Sequence, residues 1–386
     1  MSDLHLGSGR YGMPEGGVNS RVREARNFLD WFVRLVELEH ADLAVWAGDT
    51  FDTRRPGPAD LRTVAEAASR IARLCPLVVV GGNHDGAAVV GDAESHTLGW
   101  LQAVQMPGVY VATEPVRFPV ATAAGTVQVC AQPYPHPRSL DGEVGGTVGE
   151  RQAAVSREAE RQAHAWAAEA QSPDPTIYVG HLSVAGASLG AERVMRSGWD
   201  VTIPVDALAG YDLALLGHLH ARQRLRANAW YCGSPMCWDW SEEGQTKGAL
   251  VVDVARGEEP RVRAVDFPAR PVRTVDLSYH AGAPYNDLPH PPEAWSDSIR
   301  GAMLRLRVDA DRRPEAAWRA RLEREAYAAG AHYVRTDVTV REAQRQNEGP
   351  AARVGPEERL RAWLAARGGA DEALLELARD ITGGAR

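Results

Sequence analysis

Two residue types are scarce in this chain. There are four cysteines, Cys75, Cys130, Cys232 and Cys237, and none forms a Cys-x-x-Cys pair. That argues against a zinc knuckle or disulfide framework and leaves reduced, buried thiols as the expectation. Lysine occurs once, as Lys247, although Lys and Arg together number 43. The bias is better put down to a GC-rich coding sequence than to selection, yet it leaves many guanidinium forks suited to phosphate. Also missing are an apolar run of ~18 residues and a basic start followed by an apolar segment. These absences predict no membrane span and no secretory leader, and make the cytoplasm the expected compartment. The balance of charge is -8. It argues against bulk electrostatic attraction to nucleic acid, leaves room for a local basic surface, and suits a site that collects divalent cations.

What is present is length and apolar content. At ~100–200 residues per domain, 386 residues predict two or three domains, and 44% hydrophobic residues suffice for a full core. Phe28, Leu29, Phe32, Leu35, Val36 and Leu38 recur at helical spacing, which predicts a helix over 20–40 capped by Ser20. Strands at 43–47 and 76–80 with a helix at 59–74 between them make this part α/β. A short helix at 95–104, strands within 109–129, a proline- and glycine-rich loop over 133–147 and a long helix over 148–170 follow. Further strands are expected at 176–179, 211–216, 229–232 and 249–254. A boundary falls near 267–271. Beyond it, strands at 272–277, 303–308 and 333–340 with a helix at 314–329 form a small α+β module. A polar linker over 341–355 and two amphipathic helices, 356–366 and 371–382, close the chain.

Residues that bind metals stand at the ends of the predicted strands. Asp3 and His5 come first, and two residues apart they point the same way on an extended backbone. Asp49 follows the strand at 43–47 in Gly48-Asp49-Thr50-Phe51-Asp52. Asn83, His84 and Asp85 follow 76–80 after Gly81 and Gly82, which permit a sharp turn and a close approach. His181 follows 176–179, and His218 and His220 follow 211–216. In open α/β sheets functional groups gather outside the carboxyl ends of strands. The set mixes oxygen and nitrogen without thiolate, which favours manganese, iron or a similar ion over structural zinc. So large a set exceeds the ordinary coordination of one ion and suits two, with one carboxylate bridging. Two metals ~3.5–4 Å apart clamp the attacking and leaving oxygens of phosphoryl transfer.

The order Asp-x-His, Gly-Asp-x-x-Asp, Gly-Asn-His-Asp, Gly-His, Gly-His-x-His resembles the calcineurin-like metallophosphoesterase superfamily. Ser2-Asp3-Leu4-His5-Leu6-Gly7, the Gly48 to Asp52 segment, Gly180-His181-Leu182-Ser183-Val184 and Tyr231-Cys232-Gly233-Ser234-Pro235, followed by Glu243 and Lys247-Gly248, resemble more closely the nuclease subunits of SbcCD-type DNA repair complexes, over about residues 2–255. The resemblance implies a sandwich of two mixed β-sheets flanked by helices over 1–268, a small α+β DNA-binding cap over 269–342, and a linker with C-terminal helices over 343–386. It implies one metal on Asp3, His5, Asp49 and His220 and a second on Asp49, Asn83, His181 and His218, manganese being the first choice. His84 would stabilise the transition state and protonate the leaving 3′ oxygen. Asp52 would pair with His84 through its carboxylate, and Asp85 would cap a turn or support the ligands. Relatives carry a strand ahead of Asp-x-His. Its absence from this chain suggests a misplaced start or a truncation, with Asp3 and His5 tethered from one side only.

The same resemblance implies a 3′-to-5′ exonuclease on duplex ends and an endonuclease on single strands or hairpins, acting in DNA repair and recombination. It would work as a homodimer within a heterotetramer with an SbcC-like ATPase. Arg10, Arg54, Arg55, Arg222 and Arg224 are candidates for phosphate contact, with solvated surface as the plainer reading of each. The closing helices would dock on the ATPase or pack on the chain's own cap. The alternatives are a phosphodiesterase or phosphatase acting on a small molecule or nucleotide, and a weakly active scaffold subunit.

Overall fold

The computed structural model describes residues 1–86, 96–136, 146–169, 172–188, 200–280, 296–341 and 361. The linker and closing helices expected beyond residue 341 lie outside the described residues, Arg361 apart.

The principal elements follow the hydrophobic pattern. Helix α1 (Ser20–Leu38) buries Phe28, Leu29, Phe32 and Val36 on one face. It is capped by Asn19, whose side chain accepts from the Arg21 N–H, rather than by Ser20. The Ser20 hydroxyl is spent elsewhere, accepting from the Met13 N–H and bonding His332 Nε2 at 2.8 Å. Strand β1 (Ala44–Ala47), helix α2 (Pro58–Ala72) and strand β2 (Leu77–Val80) come next, and both strands are buried at every position. Helix α3 (Gly99–Val104) leads to β3 (Val109–Ala112), which closes a parallel sheet in the order β1-β2-β3.

The second sheet is mixed. Strands β4 (Val116–Thr122) and β5 (Gly125–Gln132) form a hairpin, and helix α4 (Val148–Glu169) crosses to β6 (Thr176–His181). Strand β7 (Leu213–Gly217) and the pair β8 (Gln223–Arg226) and β9 (Ala229–Tyr231) complete the order β8-β9-β7-β6-β5-β4. Val45, Ala47, Val78 and Val80 of the first sheet pack against Val129, Ala131, Ile177, Val179, Leu213 and Leu215 of the second. Helices α1 and α2 cover the outer face of one sheet and α4 that of the other, so four layers enclose three clusters of buried apolar residues. All four cysteines are free and buried within these clusters or at the cap contact.

An antiparallel ribbon, β10 (Gly248–Asp253) with β11 (Arg261–Asp266), leads to the outer module. There β12 (Val272–Tyr279), β13 (Met303–Ala310) and β14 (Tyr333–Val340) are parallel throughout, with helix α5 (Ala316–Ala328) between the last two. The expected α+β layout is therefore a βαβ crossover arrangement. Parallel neighbours require such crossovers, and the strand segments alone do not encode their direction. The module has its own core (Leu304, Leu306, Val308, Leu322, Ala326) and docks through Val272 and Met303 on Cys237 and Trp240. Arg270 adds an ion pair at 2.6 Å to Glu24 on α1. Among the described residues no helix is long and apolar enough to cross a membrane.

Candidate metal centre

The segment from Met1 to Leu6 runs beside β1 and its continuation. Ala47 N–H donates to Met1 O at 2.8 Å, Asp3 N–H to Gly48 O at 3.0 Å and His5 N–H to Asp49 O at 3.0 Å. From the other side, Trp238 Nε1 donates to Asp3 O at 3.2 Å, and the His218 N–H donates to Asp3 Oδ1 at 2.9 Å. The expectation of a one-sided tether is thus corrected: Asp3 and His5 are held from both sides. Nor is the segment extended. Asp3 and His5 have φ of 55° and 45°, so two left-handed residues, not strand alternation, aim both side chains at one place. Asp49 (φ 50°) and His218 (φ 94°) share this sparsely populated backbone region. Strain of this kind, costing about 1–3 kcal/mol per residue, persists only where the surroundings over-determine it.

Two glycines make the approach possible. Gly48 has φ +92°, and a Cβ there would strike the His181 ring. A Cβ on Gly82 would meet the Asp49 side chain and backbone. The loops after β1 and β2 are then tied by Asp85, which is fully buried. Its carboxylate accepts from the N–H groups of Thr50 (3.0 Å), Phe51 (3.0 Å) and Gly82 (3.1 Å). Burial and the nearby Asp49 carboxylate push Asp85 up to about 6, against the pull of those three donors.

Asp49 stands at the centre. Its Oδ1 accepts from the His84 N–H at 2.8 Å, and its Oδ2 lies 3.4 Å from His181 Nε2 and 3.6 Å from His5 Nε2. Burial opposes its ionisation, but His181 and His5 hold it well below the usual carboxylate range. Ligand atoms of Asp3, His5 and His220 converge within 4.8 Å of one another, as do those of Asp3, Asp49 and His181 and those of His5, Asp49 and His84. Asn83 Oδ1 completes the set, 3.1 Å from both His181 Nε2 and His218 Nδ1. The structure therefore gathers Asp3, His5, Asp49, Asn83, His84, His181, His218 and His220 in one cluster.

The ring orientations fit a metal. His181 Nδ1 faces the Ala47 carbonyl at 2.8 Å, and a carbonyl can only accept. The proton therefore sits on Nδ1, and Nε2 enters the cluster bare in the neutral ring. His220 Nδ1 donates to Glu242 Oε1 at 3.0 Å in the same way, which turns Nε2 toward His5 Nε2 at 3.2 Å. His218 Nε2 lies 3.4 Å from Asp200 Oδ1, leaving Nδ1 for the centre. Asp3 Oδ2 and His5 Nδ1 are buried without a hydrogen-bond partner among the described residues. So many converging lone pairs call for cations. A proton answers at one ring: burial lowers His181, but the Asp49 and Asp3 carboxylates outweigh it and bring it up to about 9. His5 goes the other way, burial holding it well below its ordinary value and therefore neutral, the form that ligates.

Asp52 departs from expectation. His84 Nδ1 donates to the Asp52 main-chain oxygen at 2.8 Å, not to its carboxylate. The carboxylate instead lies 3.7 Å from His5 Nδ1, and burial raises its pKa. A carbonyl fixes the His84 tautomer just as a carboxylate would, without adding charge. Three further contributors were not foreseen. Glu242, not Glu243, is the buried acid of its segment; burial opposes its ionisation, yet His220 and Lys247 bring it down to about 2. Asp200 backs His218, and the Tyr134 ring lies 5.5 Å from that of His218. Of the candidate phosphate contacts, Arg222 and Arg224 pair with Asp266 (3.0 Å) and Glu259 (2.7 Å), whereas Arg10, Arg54 and Arg55 are exposed.

Among known proteins, the calcineurin-like phosphoesterase family matches residues 1–222 of this chain. The SbcD component of the nuclease SbcCD from Bacillus subtilis is 31% identical over 67% of this chain and 66% of its own length. The same component from Rhodobacter capsulatus is 32% identical over 81% and 80%, and that from Escherichia coli K12 is 28% identical over 77% and 76%.

Proposed function

The chain belongs to the calcineurin-like phosphoesterase family, a hydrolase of phosphoester bonds, and we propose that within it this protein is a metal-dependent DNA nuclease. The observation that supports this most is the closed set of inward-facing ligand atoms around Asp49, in a chain whose relatives are named as nuclease subunits. In this reading Asp3, His5, Asp49 and His220 hold one divalent ion and Asp49, Asn83, His181 and His218 the other, manganese being the preferred metal. The chemistry the ions supply is Lewis-acid polarisation of the phosphoester.

The protein's own part is orientation and proton transfer. Asp49 fixes the His84 backbone, and the Asp52 carbonyl holds the proton on His84 Nδ1. In the doubly protonated ring Nε2 carries the second proton and hands it to the leaving 3′ oxygen as water attacks phosphorus and the P–O3′ bond breaks, which leaves the ring neutral with its proton on Nδ1. Asp52 and Asp85 support this arrangement through backbone contacts. The exposed Arg10, Arg54 and Arg55 suit phosphates flanking the scissile one. The substrates in this reading are duplex ends, degraded 3′ to 5′, and single strands or hairpins, cut internally, in DNA repair and recombination. The partner is an SbcC-like ATPase, with two copies of each chain in the assembly. The module over 269–342 serves as the DNA-gripping cap and the segment over 343–386 as the ATPase contact.

The test uses 3′-labelled duplex, single-stranded and hairpin DNA and bis-p-nitrophenyl phosphate, each with manganese or with chelator. DNA cleavage should require manganese and fall about 10²–10⁴-fold in His84→Gln, with metal content unchanged. Turnover of the small ester alone would refute the DNA reading. Metal uptake with no turnover of any substrate would point to a scaffold.

A further inference from the structure

The only lysine of the chain is not at the surface. Lys247 Nζ lies 2.6 Å from Glu242 Oε2, and each side chain is 2% exposed. Nζ also donates to Ser234 Oγ at 2.9 Å, Gln245 Oε1 at 2.8 Å and the His220 carbonyl at 3.1 Å. The other carboxylate oxygen, Glu242 Oε1, accepts from His220 Nδ1. One buried ion pair thus grips both the ring and the main chain of a single residue.

As a stabiliser such a pair is a weak device, because desolvation consumes most of its attraction. As a means of aiming a ring it is effective. The carboxylate sets which nitrogen carries the proton, and the ammonium sets where the carboxylate can stand. A lysine head suits this role as a compact donor reaching several acceptors at once, which a planar guanidinium fork cannot match in the same space.

We propose that Glu242 and Lys247 act together as the positioning device for His220, presenting Nε2 of that ring to a divalent ion. The proposal rests on the metal reading above and goes beyond it by making the strength of one ion site depend on a pair that touches no ion.

The experiment is calorimetric titration of manganese into the metal-stripped full chain. Wild type should take up two ions. In Glu242→Gln one of them should bind about 10–100-fold more weakly, the other unchanged. Glu242→Gln/Lys247→Met leaves no unpaired buried charge, so it should melt near the wild type and still bind that ion weakly. In a His220→Ala background, Glu242→Gln should change nothing further. Two ions of wild-type affinity in either Glu242 variant overturn the positioning role while leaving the metal reading intact. Additional loss in the His220→Ala background, or a double variant that does not fold, also overturns it, since the pair would then serve the fold. A wild type that takes up no ion sinks the metal reading and this proposal with it.

Discussion

His218 and His220 are two residues apart on one loop, yet they are held by different physics. His220 is backed by a buried, charge-compensated pair from the segment between Gly233 and Gly248. His218 is backed by Asp200 at 3.4 Å, itself accepting from the Ser183 hydroxyl at 2.9 Å, and its own backbone stands at φ 94°. One ring is aimed by electrostatics brought from a distant segment. The other is aimed by local strain and hydroxyl contacts. The same outcome, a bare nitrogen facing inward, is reached by routes that should fail under different insults.

The largest effect should ignore the difference. Asp49 is the proposed bridge between the two ion sites, so Asp49→Asn should abolish uptake of both ions and bring DNA cleavage to background in a metal-titrated assay. Asp200→Asn should separate the halves. Asp200 Oδ1 stands 3.4 Å from His218 Nε2, against 3.0 Å between Glu242 Oε1 and His220 Nδ1, so the looser contact should cost metal affinity less than about 10-fold, short of the 10–100-fold expected at Glu242. Equal losses at the two positions would erase the contrast.

Acid sharpens the same comparison. Glu242 is held near 2 in the fold against an ordinary 4.5. A depressed carboxyl contributes stability that is complete above about 4.5 and disappears as pH falls toward 2, here on the order of 1–3 kcal/mol. Urea midpoints of the wild type should therefore drop more steeply across pH 4.5 to 2 than those of Glu242→Gln. The smallest effect is expected just past the two rings. Arg224 pairs with Glu259 at the surface, and Arg224→Ala should shift stability by no more than about 0.5 kcal/mol and leave cleavage unchanged.

How much of this could be read from the chain depends on distance along it. Apolar runs ending in Gly-Asp, Gly-Asn-His or Gly-His mark strand ends locally, so Asp49, Asn83, His181 and His218 could be found, and the α/β layering with them. Glu242 lies 22 residues from His220 on a separate turn, with no periodicity to single it out from Glu243. Asp52 illustrates a subtler limit. Its identity suggested a carboxylate contact, but any residue there would offer His84 the carbonyl that is used. The left-handed Asp3 and His5 are not the residue types that announce positive φ as glycine does, so an extended reading was the natural one. The outer module's strands were legible, whereas their parallel order depends on connections that local pattern does not reveal.

The burial of Lys247 makes the chain an unusual subject for proteolysis. A protease that cuts after lysine has one possible site in the sequence, and that site is closed while the Glu242 contact holds. A single cut before Gly248 can occur only when this segment opens, and its rate under gentle conditions measures how often it does. Because the opening would also release the His220 carbonyl, saturating metal should slow that cut.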